Sequence, residues 1–153
     1  MLHIALFEPE IPPNTWNIAR LCAATESTLH VVGVTGFRMD DRTLRRSGLD
    51  YWDHVNFFRH IDMGELYDAL PSSRFFYLTT KTERPYTAAK YQDNDCLVFG
   101  PETRGLPAEL LSLNADHCLT IPMQNKNVRS LNLATSVGIV LYEAIRQVSA
   151  LQK

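Results

Sequence analysis

Cys96-Leu97-Val98-Phe99-Gly100-Pro101-Glu102-Thr103-Arg104-Gly105-Leu106-Pro107 is the most informative stretch of this chain. Four apolar residues run together without alternation and stop at a glycine. Such a run reads as a strand buried on both faces. Gly100 lets the backbone approach a ligand, and Gly105 permits a left-handed turn. Pro107 fits the first turn of a helix carrying Leu110 and Leu111. Strand, polar loop and helix in this order form the unit of an α/β sheet, which presents ligands at the carboxyl ends of its strands. The loop is neither G-x-G-x-x-G nor a Walker loop, so no dinucleotide or nucleoside-triphosphate site is expected. Taken alone, it reads equally well as a tight connection with solvated charges at Glu102 and Arg104.

The same pattern extends outward along the chain. Further strands are expected at Leu2–Phe7, Leu29–Val34, Val55–Phe58, Phe75–Thr79 and Leu119–Ile121. Helices are expected between them. Asn14 or Thr15 would cap one through Ile18, Leu21 and Cys22; Asp40 a short basic one containing Leu44, with Gly48 just after its end; and Asp62 one with Leu66 and Leu70 inward. The last, about Ser130–Leu151, is apolar nearly all round, which predicts burial on more than one side and a second copy of the chain against it. Alternating strands and helices give one α/β domain over residues 1–153, a mainly parallel sheet flanked by helices.

Composition bounds the function. The 153 residues are 45% hydrophobic and 21% charged with a net charge of −2, so RNA binding cannot be argued from overall charge. Cys22, Cys96 and Cys118 form no C-x-x-C pair, which argues against a disulfide framework or zinc site and for reduced thiols in the cytoplasm. The five histidines lack metal-ligand spacing, and no metal is expected. Met1–Phe7 lacks the basic start of a signal peptide, and no apolar run approaches the ~20 residues of a membrane helix.

Two more loops carry polar groups. In Pro9–Arg20, Pro12 and Pro13 stiffen the approach to a helix that shows Asn14, Asn17 and Arg20 at three-residue spacing, roughly one face. In Ile121–Leu133, a strand runs through Pro122 and Met123 into a polar stretch and then Arg129-Ser130-Leu131-Asn132. A capped helix with a surface arginine accounts for the first loop, and capping by Ser130 or Asn132 for the second. Arg38, Arg42, Arg45 and Arg46, beside Asp40 and Asp41, read as a solvated helix face or as the densest basic patch for RNA phosphates. Tyr51 and Trp52 follow and could stack on bases.

Together, "LFEPEIPPNT", "RTLRRSGLDY", "LVFGPETRGLP", "IPM" and "RSLNL" resemble, in the correct order and over nearly the whole chain, the motifs of the SPOUT class of knotted RNA methyltransferases. The subgroup most resembled methylates the ribose 2'-hydroxyl of cytidine or uridine 34, the tRNA wobble nucleotide. The resemblance implies a parallel α/β sheet whose C-terminal segment makes a deep trefoil knot, which periodicity alone does not predict. It implies S-adenosylmethionine as cofactor, S-adenosylhomocysteine as product, and a homodimer holding a tRNA anticodon stem-loop. Leu78, Gly100, Ile121 and Ser130 would line the cofactor site, supported by Glu102, Met123, Leu131 and Asn132. Arg20 matches the arginine assigned to proton removal. Arginine titrates above ~12, so fixing the ribose or its phosphate and stabilising oxyanion charge is the expected role. Asn14, Arg42, Arg45, Arg46, Arg129 and Tyr142 would touch RNA.

Two positions depart from the family pattern. Trp16 stands where the first motif usually has glycine, and Glu26 replaces a later glycine; both are expected near the edge of the active site. Methylation at another RNA site, a non-catalytic knotted RNA-binding dimer and a flavodoxin-like small-ligand module are the alternative readings.

Overall fold

The computed structural model describes residues 1–39 and 50–151. The expected Asp40-capped helix, and with it Arg42, Arg45 and Arg46, lies outside them. The elements are β1 (His3–Phe7), α1 (Pro12–Thr25), β2 (Thr28–Val32), β3 (Asn56–His60), α2 (Met63–Ala69), β4 (Phe75–Leu78), β5 (Cys96–Phe99), α3 (Ala108–Leu113), β6 (Cys118–Leu119) and α4 (Leu133–Leu151), with short 3-10 turns at Trp52–His54, Tyr86–Ala88 and Ala115–His117. The sheet order is β3-β2-β1-β5-β4-β6, and every pairing is parallel. The expected parallel α/β architecture is therefore borne out.

Side chains alternate across this sheet because a strand turns successive Cβ atoms to opposite faces. Ile4, Leu6, Leu29, Leu97 and Phe99 face α1 and α4, where Ile18, Cys22, Val137 and Leu141 are buried. Ala5, Val32, Tyr77, Cys96 and Val98 face the other way, toward Leu66 of α2 and Leu111 of α3. The three cysteines are buried and free. Burial raises the Cys22 thiol to about 12, which keeps it protonated and inert. No helix among the described residues is long and apolar enough to cross a membrane.

Element ends differ from the expected ones for local reasons. α1 begins at Pro12 after Ile11, and no side chain caps it. The two prolines lack N–H groups where a helix start would leave them unpaired, so the cap expected of Asn14 or Thr15 is not needed. α4 begins at Leu133, not Ser130, with Asn132 Oδ1 accepting the Thr135 N–H at 3.1 Å. Asp62 caps α2 as expected, accepting the Glu65 N–H at 2.9 Å. β2 stops at Val32 because Gly33 turns the chain with φ +82. α4 is less enclosed than its composition suggests: Val137, Val140, Leu141 and Ala144 are buried, whereas Tyr142 is 55% exposed.

After edge strand β6 the chain returns to the middle of the sheet. Residues flanking this return are tied to the connection between β4 and β5. Tyr86 N–H donates to Thr120 O and Thr120 N–H to Arg84 O, each at 2.8 Å. Farther on, Gln147 accepts the Tyr91 N–H at 2.9 Å and donates to Ala89 O at 3.1 Å.

Glu26 is not at the edge of a site at the carboxyl ends of the strands. α1 runs back across the sheet, so its C-cap lies at the other end, where Glu26 adopts φ +56 and its N–H bonds to Ala23 O and Cys22 O. A side chain other than glycine is strained there by about 1–2 kcal/mol. Glu26→Gly is expected to stabilise the fold by about 1 kcal/mol, read as a higher urea midpoint.

Three histidines cross the first three strands in sequence. His3 Nδ1 lies 3.0 Å from His30 Nε2, and His30 Nδ1 lies 2.9 Å from His60 Nε2; His60 Nδ1 is 3.8 Å from Glu65. Neutral imidazoles satisfy such a row, each donating at one nitrogen and accepting at the other. Burial lowers all three: His30 falls to about 3, also because His3 and His60 adjoin it, while the N-terminal charge adds to the lowering of His3 and Glu65 opposes that of His60. Unfolded imidazoles titrate near 6.5, so the unfolded chain takes up these protons first. The row's contribution is full above that pH and erodes as pH falls toward the folded values. Urea midpoints measured from mildly alkaline to mildly acidic buffer are expected to decline already below neutrality, before carboxylates titrate.

Candidate cofactor and RNA site

The carboxyl ends of β1, β4 and β5 open onto a cavity of about 420 Å³. Its walls come from three segments far apart in sequence: Leu78–Lys81, Phe99–Leu106 and Thr120–Ser136, with Ile11 and Asn14 at the start of α1. All the residues read as cofactor-binding (Leu78, Gly100, Glu102, Ile121, Met123, Ser130, Leu131 and Asn132) line it, and Arg129 does too. Leu78, Phe99, Ile121 and Leu133 give apolar walls, while Thr79, Ser130 and backbone groups of the irregular loops supply polar ones. Gly100 is required by close backbone packing: a Cβ there would lie 2.4 Å from Gly105 C and Leu106 N.

Two carboxylates cross between the first and second loops. Glu102 accepts the N–H groups of Glu10 at 2.9 Å and Ile11 at 2.7 Å, and the Asn14 amide at 3.2 Å. In return Glu10 Oε1 accepts the Thr103 N–H at 3.0 Å and its hydroxyl at 2.7 Å. These bonds hold the Glu10 carboxyl below the usual carboxylate range, with nearby Arg104 adding to the effect. Asn14 completes the bridge: its Oδ1 accepts from Asn132 Nδ2 at 3.0 Å. One chain of hydrogen bonds thus joins all three loops.

Asn14, read from the sequence as an RNA contact, is buried and uses both ends of its amide within the protein. Arg20 is exposed on α1 and does not line the cavity; its guanidinium sits 5.9 Å from the Tyr51 ring centroid. Tyr142 is exposed on α4, and it too stands away from the cavity wall. Tyr51 turns inward, its hydroxyl donating to Trp16 O at 2.9 Å, and Trp52 packs on Phe57 with centroids 5.1 Å apart. Sequence reasoning missed Glu10, Thr103, Thr79 and Lys81. The Glu10–Thr103 pairing spans 93 positions and leaves no periodic signal. Among the described residues no group of His, Cys, Asp or Glu is arranged to hold a metal.

Glu102→Gln replaces an acceptor-only carboxylate by an amide that turns an N–H toward backbone N–H donors. Charged hydrogen bonds of this kind contribute about 1.5–3 kcal/mol. The variant is expected to lose about 2 kcal/mol in urea unfolding, with faster amide exchange at Glu10 and Ile11.

Known proteins share both the sequence and the fold. The chain is 51% identical over 148 residues to the tRNA (cytidine(34)-2'-O)-methyltransferase of Escherichia coli strain K12, covering 96% of this chain and 94% of that one. It is 50% identical over 153 residues to the protein of the same name from Yersinia pestis, with the same coverage. Among solved structures, one giving structural insights into the 2-OH methylation of C/U34 on tRNA superposes with a TM-score of 0.89 at 43% identity, covering 98% of this chain and 97% of its own. An AdoMet-bound rRNA methyltransferase from Sinorhizobium meliloti has a TM-score of 0.79 at 25% identity, covering 95% of this chain and 56% of its own. The family model described as SpoU rRNA Methylase matches residues 1–142, and with the motifs and fold in agreement the chain belongs to the SpoU methylase family.

Proposed function

We propose that this protein transfers a methyl group from S-adenosylmethionine to the ribose 2'-hydroxyl of tRNA nucleotide 34, a cytidine or modified uridine. The observation that carries the reading is the convergence of three distant loops on one cavity, in a chain about half identical to methyltransferases of that name. At about 420 Å³ the cavity has the size of a small-ligand site. Its apolar walls suit an adenine ring, and its irregular loops offer backbone donors and acceptors to read that ring's edge. Leu78, Gly100, Ile121, Ser130 and Leu131 would hold the cofactor. Glu102 and Asn132 would support it from behind, because their polar atoms are engaged within the protein.

When bound, the cofactor supplies an electrophilic methyl on a sulfonium. The protein's task is then orientation and charge stabilisation. Arg20 stands six residues beyond Asn14, about 9 Å of helix rise, and a nucleotide reaching from the cavity mouth would span that gap. There the guanidinium would fix the ribose or its phosphate and stabilise charge on the 2'-oxygen as its proton leaves.

The RNA surface is proposed to include Arg129, at the cavity, together with Arg42, Arg45, Arg46 and Tyr142. Exposed Ile11 and Leu131 favour a homodimer packed where the start of α1 meets the start of α4. We also infer that the return of residues 120–132 through the β4–β5 connection forms the trefoil knot, supported by the bonds at Thr120 and Gln147. A cytoplasmic location follows from the substrate.

Labelled methyl from S-adenosylmethionine is expected in unmodified tRNA, recovered after digestion as a 2'-O-methylpyrimidine from position 34. Absence of label with cofactor bound would point to another RNA or a non-catalytic protein; absence of cofactor binding would overturn the reading. Arg20→Lys keeps the charge but loses the planar fork, and is expected to lower kcat by about 100-fold with cofactor affinity unchanged. Retention of most activity would refute this role for Arg20.

A further inference from the structure

Trp16 occupies a position where the first motif of the resembled family usually carries glycine. The structure shows that glycine is not required there by the backbone: Trp16 lies inside α1 and is absent from the positive-φ residues. What a glycine would give at this place is room. Here that room holds an indole one helical turn before Arg20.

The indole is held in a fixed setting. Phe37 meets it edge-on, with centroids 5.5 Å apart and planes at 78°. Tyr51 anchors the backbone beneath it, its hydroxyl donating to Trp16 O at 2.9 Å. The Tyr51 ring in turn lies 5.9 Å from the Arg20 guanidinium carbon. Three rings and one cation from three separate segments therefore form a single cluster. It is not sealed into the core: Trp16, Phe37 and Tyr51 are half-buried, and Arg20 and Arg38 beside them are exposed.

We propose that Trp16, propped by Phe37 and Tyr51, is a stacking platform for a nucleobase of the RNA substrate and so a substrate-binding residue of this enzyme. The proposal rests on the RNA methyltransferase reading above. An aromatic face stacks on any base, and flanking arginines attract the phosphates joining it to its neighbours. Asp50 adjoins Tyr51 in sequence, so on that side an uncharged base face fits better than a phosphate. With Arg20 one turn away, the stacked base belongs to the target nucleotide or its immediate neighbour. A glycine at position 16 leaves that base without a partner.

Trp16 and Trp52 are the only tryptophans. In a Trp52→Phe background, titration with an unmodified anticodon stem-loop is expected to quench Trp16 emission in step with filter binding of the same RNA. Trp16→Gly is expected to raise KM for tRNA about tenfold, with the cofactor Kd unchanged, and Trp16→Phe to recover part of the loss. A thermal melt of each variant separates these effects from misfolding. RNA binding without a change in Trp16 emission would overturn the platform and leave the methyltransferase reading standing. Absence of RNA binding would overturn both. Protection of Trp16 from acrylamide that disappears on dilution of the free protein would assign the surface to a second copy of the chain and also overturn the proposal.

Discussion

The site depends on the Glu102 carboxylate. Three loops that follow three different strands must meet to make the cavity, and loops carry backbone donors that no ladder satisfies. Glu102 takes two of these donors from the first loop, and Asn14 passes the connection on to Asn132 at the start of α4. A carboxylate suits this position because it accepts without donating, and charged acceptors make the stronger bonds. Glu10 repeats the arrangement in reverse on Thr103. The cavity walls are thus fixed to one another by polar contacts, while Leu78, Phe99, Ile121 and Leu133 leave part of the lining apolar.

The parallel sheet explains why these loops can meet at all. With every strand running the same way, the carboxyl ends of β1, β5, β4 and β6 follow one another along the same edge of the sheet, although their loops are far apart in sequence. The same geometry sends α1 back across the sheet. Its first turn therefore borders the cavity, Arg20 lies farther along it, and Glu26 ends at the opposite side. Position along one helix separates cofactor support, the proposed substrate contact and a purely structural cap. It also separates the two departures from the family pattern: Trp16 stands near Arg20, while Glu26 is a question of backbone strain.

Much of this is legible in the amino-acid sequence. Apolar runs marked every strand to within two residues at either end, because strands buried on both faces leave nearly continuous apolar runs. The motif order singled out the residues proposed to hold the cofactor, and they all line one cavity. Boundaries and caps were less legible. α1 takes its start from Pro12 and Pro13 rather than from Asn14, whose amide is needed elsewhere. The histidine row escaped sequence reading because His3, His30 and His60 align only when three strands pair in register.

By itself, the sequence determined the α/β class, the order of the elements and the family, since each depends on local composition or on motifs contiguous in the chain. Tertiary structure alone decided that Glu102 and Glu10 cross between loops, that Asn14 bridges rather than binds from an exposed surface, and that Trp16 stands among Phe37, Tyr51 and Arg20. These are contacts between segments tens of residues apart. Their geometry is set by the pairing of parallel strands and the packing of α1 and α4 across them, which no local pattern encodes.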